Sequence, residues 1–285
     1  MAYVMRAGRF PLVAIRTQPG LFMGCLISGI AILLAVIGPW IAPMNPTEPV
    51  SGQQLLPPSS EHWFGTDPLG YDVFSRVIAA PRTDITIALA ATILAIVVGA
   101  PIGAVAGYYQ TAWSSLVMRI SDLIQSFPVF LLAMAAVIVA GNEISSIIYV
   151  IALVQAPIYV RLVRAEVLAL RSRTFVEAAV TMGVPGKRIV RRHLLPNAVG
   201  PILSQASVTV GMAMLLTAGL SFIGAGVRVP TPEWGSMIAA GAPNVITGQW
   251  WASVFPGLAL AITVFGFALL GDGLARLSDP TRRKP

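Results

Sequence analysis

The sequence predicts an all-α membrane protein of about six transmembrane helices. Three observations carry that prediction. Of the 285 residues, 56% are hydrophobic and only 11% are charged, whereas a soluble domain covers itself in water with about 25% charged residues. The apolar residues fall into runs near the length a bilayer demands of a helix, about 20 residues. The basic residues are concentrated in alternate connecting segments, the asymmetry that orients a chain across a membrane.

The first run, 21–42, is uncharged and follows Arg6, Arg9 and Arg16 in a segment 1–20 expected in the cytoplasm. It is longer than the apolar core of a signal peptide, about 7–15 residues, and no small-x-small cleavage site precedes Met44, so it reads as the first span. Residues 43–84 are a polar stretch rich in Pro, Ser and acids, expected on the outer side. The uncharged run 85–109 is the second span and opens the core of the protein, 85–285. An amphipathic piece, 112–126, carries Arg119 and Asp122 and leads into a third span ending near Gly141. Residues 144–160 make a shorter fourth span, and a basic segment, 161–192, interrupts the apolar pattern. The fifth span covers 198–224. No charge occurs between Gly235 and Gly271, where 254–270 crosses and the tail 272–285 follows.

With the N-terminus in the cytoplasm, sixteen basic residues lie inside. They are Arg6, Arg9, Arg16 and Arg119; the eight from Arg161 to Arg192; and Arg276, Arg282, Arg283 and Lys284. Only Arg76, Arg82 and Arg228 lie outside. The net charge of +7 is therefore an orientation signal, and a nucleic-acid partner drops out. Cys25, the single cysteine, excludes an intramolecular disulfide framework and a cysteine metal cluster; it reads as a small buried hydrophobe.

Gly99, Gly103 and Gly107 recur every fourth residue in the second span, a spacing that lets helix backbones approach closely. Pro101 and Pro128 are expected to kink helices where neighbours satisfy the freed backbone groups. No internal repeat argues for an inverted-repeat carrier. A self-contained ion-coupled carrier needs ionisable groups in mid-membrane, but the spans are almost free of charge, and Asp122, Glu143 and Asp272 fall near predicted ends. A membrane metalloprotease is excluded because His62 and His193, the only histidines, lie on opposite sides and no His-Glu-x-x-His exists. His62 reads as a solvated loop residue and His193 as a packing or hydrogen-bonding residue. Trp234, Trp250 and Trp251 read as an interfacial belt, and Met212 and Met214 as packing.

The basic segment is the informative one. Thr174-Phe175-Val176-Glu177 fits a capping box, a hydroxyl residue with Glu three positions later. A short helix follows, Gly183 is a left-handed stop, and Pro185 suits the first turn of a second helix that Pro196 ends or kinks. The segment thus reads as helix, glycine bend, helix. An apolar-faced helix held outside the bilayer suits docking into a partner's groove. Equally, Glu177 caps a helix and the arginines anchor the loop against anionic lipid; physics alone leaves both readings open.

Glu177-Ala178-Ala179, Gly183 and Leu195-Pro196 resemble the EAA loop, here about 166–197, of binding-protein-dependent ABC permeases. His193 stands where that pattern has Ile. Three more stretches are similar to the dipeptide/oligopeptide/nickel branch, in its second-permease type. They are Phe64-Gly65-Thr66-Asp67 with Gly70, Asp72, Ser75 and Arg76; Pro232-Glu233-Trp234-Gly235-Ser236-Met237 with Trp250-Trp251 and Pro256-Gly257; and Gly271-Asp272-Gly273-Leu274 with Asp279-Pro280. The chain departs from that branch at Tyr71, at Ala80-Pro81 with Asp84, and at Ala275-Arg276. The first two sites are expected to face outward toward the binding protein or a sister subunit.

The resemblance implies a type I importer permease fold in the bacterial inner membrane, with both termini cytoplasmic. It implies a subunit that forms the solute path with a homologous sister permease and receives solute from an extracytoplasmic binding protein. Two cytoplasmic ATPase subunits would grip the EAA loops, here through Glu177, Ala178, Ala179, Gly183, Arg188, Leu195 and Pro196. The implied cargo is di- or oligopeptide, with nickel, haem or another small solute as alternatives. The chain itself is expected to be non-catalytic and without cofactor, ATP and Mg being held by the partners. Gly186-Lys187 is followed by Arg188 and no phosphate loop exists.

The charge asymmetry makes a direct prediction. Cysteines introduced at Ser51 and Asn244 react with an impermeant thiol reagent added to intact cells, and one at Ser172 does not. Labelling of Ser172 from outside overturns the topology.

Overall fold

The computed structural model describes residues 18–278, and among them the regular structure is helical. The expectations for Arg6, Arg9 and Arg16, and for the tail beyond Ser278, lie outside the described residues. Five helical stretches are long and apolar enough to cross a bilayer, and a bent helix pair stands where the remaining span is expected.

Helix α1, Pro19–Ile41, starts with proline in its first turn, where the missing N–H is no loss, and ends as Ala42 turns extended. It lies along the last helix: a Cβ on Gly24 would sit 2.9 Å from the Leu270 Cα. Cys25 is on its exposed side, not buried as the sequence suggested, because Gly24 and Ser28 take the packed face.

Residues 43–72 are not a loose polar stretch. Val50 N–H donates to the Gly70 carbonyl at 3.0 Å, Leu55 N–H to Asp67 at 3.1 Å and Asp67 N–H to Tyr71 at 3.0 Å. His62, expected to be solvated, is 1% exposed, with Nδ1 2.9 Å from Asp72 Oδ1 and Nε2 2.8 Å from Gln53 Oε1. Phe64 stacks on Phe255 with ring centroids 4.0 Å apart. Gly65, at φ +72°, has no room for a side chain: a Cβ would lie 2.6 Å from the Leu56 carbonyl oxygen and 2.7 Å from the Trp251 ring. The segment is a cap tied down by backbone pairing, which apolar content alone could not reveal.

Asp72 caps helix α2, Val73–Ala79, by accepting from Ser75 N–H at 2.8 Å. Helix α3, Pro81–Tyr109, follows after one residue, so the second span begins earlier than the uncharged run at Ile85 indicates. Its small residues meet helix α6, Ile144–Arg171, backbone to backbone. A Cβ on Gly99 would lie 2.6 Å from the Ala156 carbonyl oxygen and one on Gly107 2.9 Å from that of Arg164; Gly103 abuts Val160.

The third span is broken. Helix α4, Ala112–Ser126, and helix α5, Val129–Ala140, meet at 93°. The residue before a proline is driven out of the helical region, and Phe127, preceding Pro128, is extended at φ −80°, ψ 142°. With 12 residues, α5 is about 18 Å long, too short to cross by itself. Helix α6 differs in the other direction. It continues unbroken past Val160 through Arg161 and Arg164, so the basic segment begins inside it. At 28 residues it is about 42 Å long and outreaches a hydrocarbon layer of about 30 Å. Arg161 pairs with Asp122 of α4 at 2.5 Å.

Beyond the basic segment, helix α10, Val199–Phe222, and helix α12, Trp251–Ser278, pack on each other and on the α1 and α3 layers. Between them lies helix α11, Trp234–Gly241. Two of the three tryptophans expected in an interfacial belt are interior: Trp234 Nε1 donates to the Val77 carbonyl at 3.1 Å, and Trp251 Nε1 to that of Thr66 at 3.1 Å. Trp250 is exposed, Met214 is fully buried and Met212 is half exposed.

The glycine seam yields a paired prediction. Gly103→Val drives a side chain into the α6 backbone, and overpacking of this kind costs about 1–3 kcal/mol. Gly29→Val, in a position with nothing within 4 Å, is neutral by comparison. Thermal melting of the solubilised chain distinguishes the two; equal melting temperatures contradict the seam.

Candidate functional site

The site candidate is the segment that joins α6 to α10. Helix α7, Thr174–Thr181, turns its Val176 and Ala179 inward, at 2% and 5% exposure. Phe175, Ala178 and Met182, at the i, i+3, i+7 spacing of one helix face, are exposed, Met182 at 75%. Glu177 is exposed as well. The capping box does not form. Arg173 occupies the cap position, Thr174 is the first helical residue, and no side-chain cap bond is made. With the boundary one residue early, the Thr174 hydroxyl is inside the helix rather than ahead of it, and Glu177 contributes as an acid in the first turn, favoured by the helix dipole.

The end of α7 follows the glycine reading closely. Gly183 stands at φ +73°. Its N–H donates to the Val180 carbonyl at 2.9 Å, and Val184 N–H reaches back to Ala179 at 3.0 Å. These two bonds are the Schellman pattern. Nothing lies within 4 Å of the place a Gly183 side chain would occupy, so glycine is required there by backbone conformation and not by crowding.

Pro185 is the cap of helix α8, Gly186–Ile189, one position ahead of the first turn in which it was expected. A five-residue π-helical turn, Val190–Leu194, continues the coil into helix α9, Leu195–Asn197. A proline ring inside a helix clashes with the carbonyl four residues back, and the widened turn ahead of Pro196 is where such a clash is absorbed. The chain is therefore led into α10 without a break. Ile189, Val190 and Leu194 are buried, Leu195 is half buried, and Arg188 and Pro196 are exposed. Gly186 lies against the foot of α3, where a Cβ would be 2.7 Å from the Tyr108 ring. In the sequence it figures only in the missing phosphate loop, because a lone glycine after proline carries no periodic signal of packing. Lys187, Arg188, Arg191 and Arg192 line, with Pro185, an open concavity of about 470 Å³.

At the opposite end of α3 lies a buried polar cluster that the sequence did not announce. Tyr71 and Asp84, expected to face outward, are 6% and 1% exposed. The Arg76 guanidinium lies 4.3 Å over the Tyr71 ring and donates to the carbonyls of Pro46 at 2.9 Å and Pro230 at 3.1 Å. Asp84 Oδ2 accepts from Trp234 N–H at 3.2 Å. Glu233 caps α11 by accepting from Gly235 N–H at 2.8 Å and Ser236 N–H at 2.7 Å. Burial pushes the Glu233 carboxyl above its ordinary range against those two amides. Burial likewise raises Asp67, opposed by the amides of Tyr71 and Leu69. Among the described residues no group of His, Cys, Asp and Glu forms a metal site.

Comparison with known proteins agrees with this architecture. Residues 99–284 match the family described as binding-protein-dependent transport system inner membrane component. A probable D,D-dipeptide transport system permease of Escherichia coli is 37% identical over 93% of this chain and 89% of its own length. A dipeptide transport system permease of Alkalihalophilus pseudofirmus is 37% identical over 90% and 84%, and a glutathione transport system permease of Escherichia coli is 39% identical over 87% and 82%.

Proposed function

The chain belongs to the family of binding-protein-dependent transport system inner membrane components, the permease subunits of ABC importers, and from that premise we propose that it carries small peptides across the membrane. It is a multi-pass membrane protein that works with ATPase and solute-binding subunits. The peptide reading is supported by relatives named for dipeptide and glutathione transport across nearly their whole length.

In this reading α7 is the element that an ATPase subunit grips. The observation that carries it is the exposed stripe of Phe175, Ala178 and Met182 on a two-turn helix whose direction is held by the Gly183 turn. An apolar helix face held outside the span region has a partner groove as its natural cover. Glu177 and Arg188 are exposed charges of the same segment, while Ala179 and Leu195 pack against the core of the bundle and Pro196 is exposed. The long α6 enters the segment and α10 leaves it, so a push on α7 is delivered to two spans at once. The sister permease completes the solute path, the basic segment faces the cytoplasm, and ATP with Mg is held by the ATPases. This chain has no phosphate loop and turns over no ATP alone.

Two variants test the docking role in the reconstituted complex. A side chain with a Cβ in the left-handed conformation is strained by about 1–2 kcal/mol. Gly183→Val therefore redirects the second half of the segment while leaving the spans intact. It reaches normal membrane levels, retains the ATPases weakly and loses uptake of a labelled dipeptide. Glu177→Gln, on the exposed face and capping nothing, is milder. If both variants co-purify the ATPases and transport like wild type, the segment is only a basic anchor. ATP turnover by the purified single chain would likewise overturn the division of labour.

A further inference from the structure

Helix α4 presents three different faces. Ser114 and Ser121 are buried, and the Ser114 hydroxyl donates to the Ala106 carbonyl of α3 at 2.6 Å. Trp113, Leu116, Ile120 and Leu123 follow the i, i+3, i+7, i+10 spacing of one helix face and are between 46% and 61% exposed. Arg119 and Asp122 stand on the neighbouring arc and are exposed as well. The small polar residues are thus the ones that pack, and the large apolar ones are presented outward.

Two anchors set the height of this helix. The α3–α6 seam keeps one register, Gly103 against Val160 and Gly107 against Arg164, so Arg161 is level with Ala104. Ser114 is tied to Ala106, and Asp122 to Arg161 at 2.5 Å. The two anchor points differ in level by about 3 Å, whereas α4 advances about 12 Å along its own axis between Ser114 and Asp122. It therefore runs across α3 and α6 and not alongside them.

That height is the edge of the bilayer. Arg161 lies about 26 Å from the start of α6 at Ile144, against a hydrocarbon layer of about 30 Å. The side chains of the Arg161–Asp122 pair are 41% and 63% exposed, and charges this open do not lie in hydrocarbon. The outward stripe and the charged arc beside it therefore straddle the boundary between acyl chains and headgroups.

We propose that α4 lies in the plane of the membrane, at the boundary on the side of the basic segment. Its apolar stripe is sunk among the acyl chains of that leaflet, and Arg119 and Asp122 stand at headgroup level. An amphipathic helix of this kind sits about 5–10 Å into the boundary, which leaves about 20–25 Å of hydrocarbon for the rest of the crossing. Helix α5 contributes about 18 Å and the extended Phe127–Pro128 link up to about 6 Å. A helix too short to cross by itself thus completes the crossing, and the 93° break is the corner between the in-plane piece and the crossing piece. With one Arg and one Asp on α4, the ligand is hydrocarbon and the contact selects no headgroup charge.

The test uses the assembled transporter in lipid nanodiscs, on a Cys25→Ser background because Cys25 is itself exposed. Leu116→Cys, Ile120→Cys and Leu123→Cys each carry a fluorescent label, whose depth is read from quenching by phosphatidylcholine brominated at a series of chain positions. All three positions are exposed, and any two of them define the slope. The labels report one common depth, quenched most strongly by bromines on the upper half of the chain. A stretch that crosses the layer separates Leu116 from Leu123 by about 10 Å in depth, and such a gradient overturns the proposal. So does the absence of lipid quenching at every position, the result if another subunit covers the stripe. Replacing half of the lipid by phosphatidylglycerol leaves the common depth unchanged; a depth that moves with headgroup charge overturns the acyl contact.

Discussion

The close approach of α3 to α6 is the contact on which the rest of the molecule depends. Lipid tails are as apolar as the helices they surround, so burial of apolar surface does little to drive spans together; packing at short range does that work. Gly99, Gly103 and Gly107 remove the side chains from one face of α3 and let the α6 backbone rest on it. The seam also fixes what lies at either end. At one end Tyr108 meets Gly186 and the connecting segment; at the other, Asp84 receives the Trp234 N–H at the start of α11. A single helix pair thus relates the segment between α6 and α10 to the cap of the opposite face.

Polarity is distributed around this pair according to what each depth permits. Backbone groups inside the spans satisfy themselves within helices, as a bilayer requires. Where the chain departs from regular helix it does so with partners in place. The cap of 43–72 pairs its amides with its own carbonyls, His62 lies between Asp72 and Gln53, and Arg76 is taken up by two carbonyls and an aromatic ring. The chemistry that looked absent from the spans is gathered just beyond them, in a buried cluster and not on a wet surface.

Much of this was legible in the sequence, and the exceptions have common causes. Spans 1, 2, 5 and 6 follow from runs of apolar residues, and the stop at Gly183 from the conformational freedom of glycine. The break at Phe127 was signalled by Pro128 but not its angle, because a proline states that a helix is interrupted and says nothing of where the next one goes. The capping box at Thr174 failed by one residue, since a four-residue pattern cannot resolve on which side of the boundary its first member falls. The end of α6 was placed too early because charge was taken to end a helix, when Arg161 instead finds Asp122 on a neighbour.

The sequence by itself determined that this chain lives in a bilayer, how many times its apolar runs can approach that bilayer, which segment stands clear of it, and the family to which its motifs point. These are properties of composition, run length and local spacing, all of them written along one dimension. Only the tertiary structure decided that the stretch before the second span is a folded cap, that Trp234 and Trp251 face inward, and that Asp84 finds the Trp234 amide. Each of these joins residues 150 to 185 positions apart or ties together a segment of unremarkable composition. A buried acid and an exposed one are the same letter, and the energy that separates them comes from neighbours that the chain supplies only when folded.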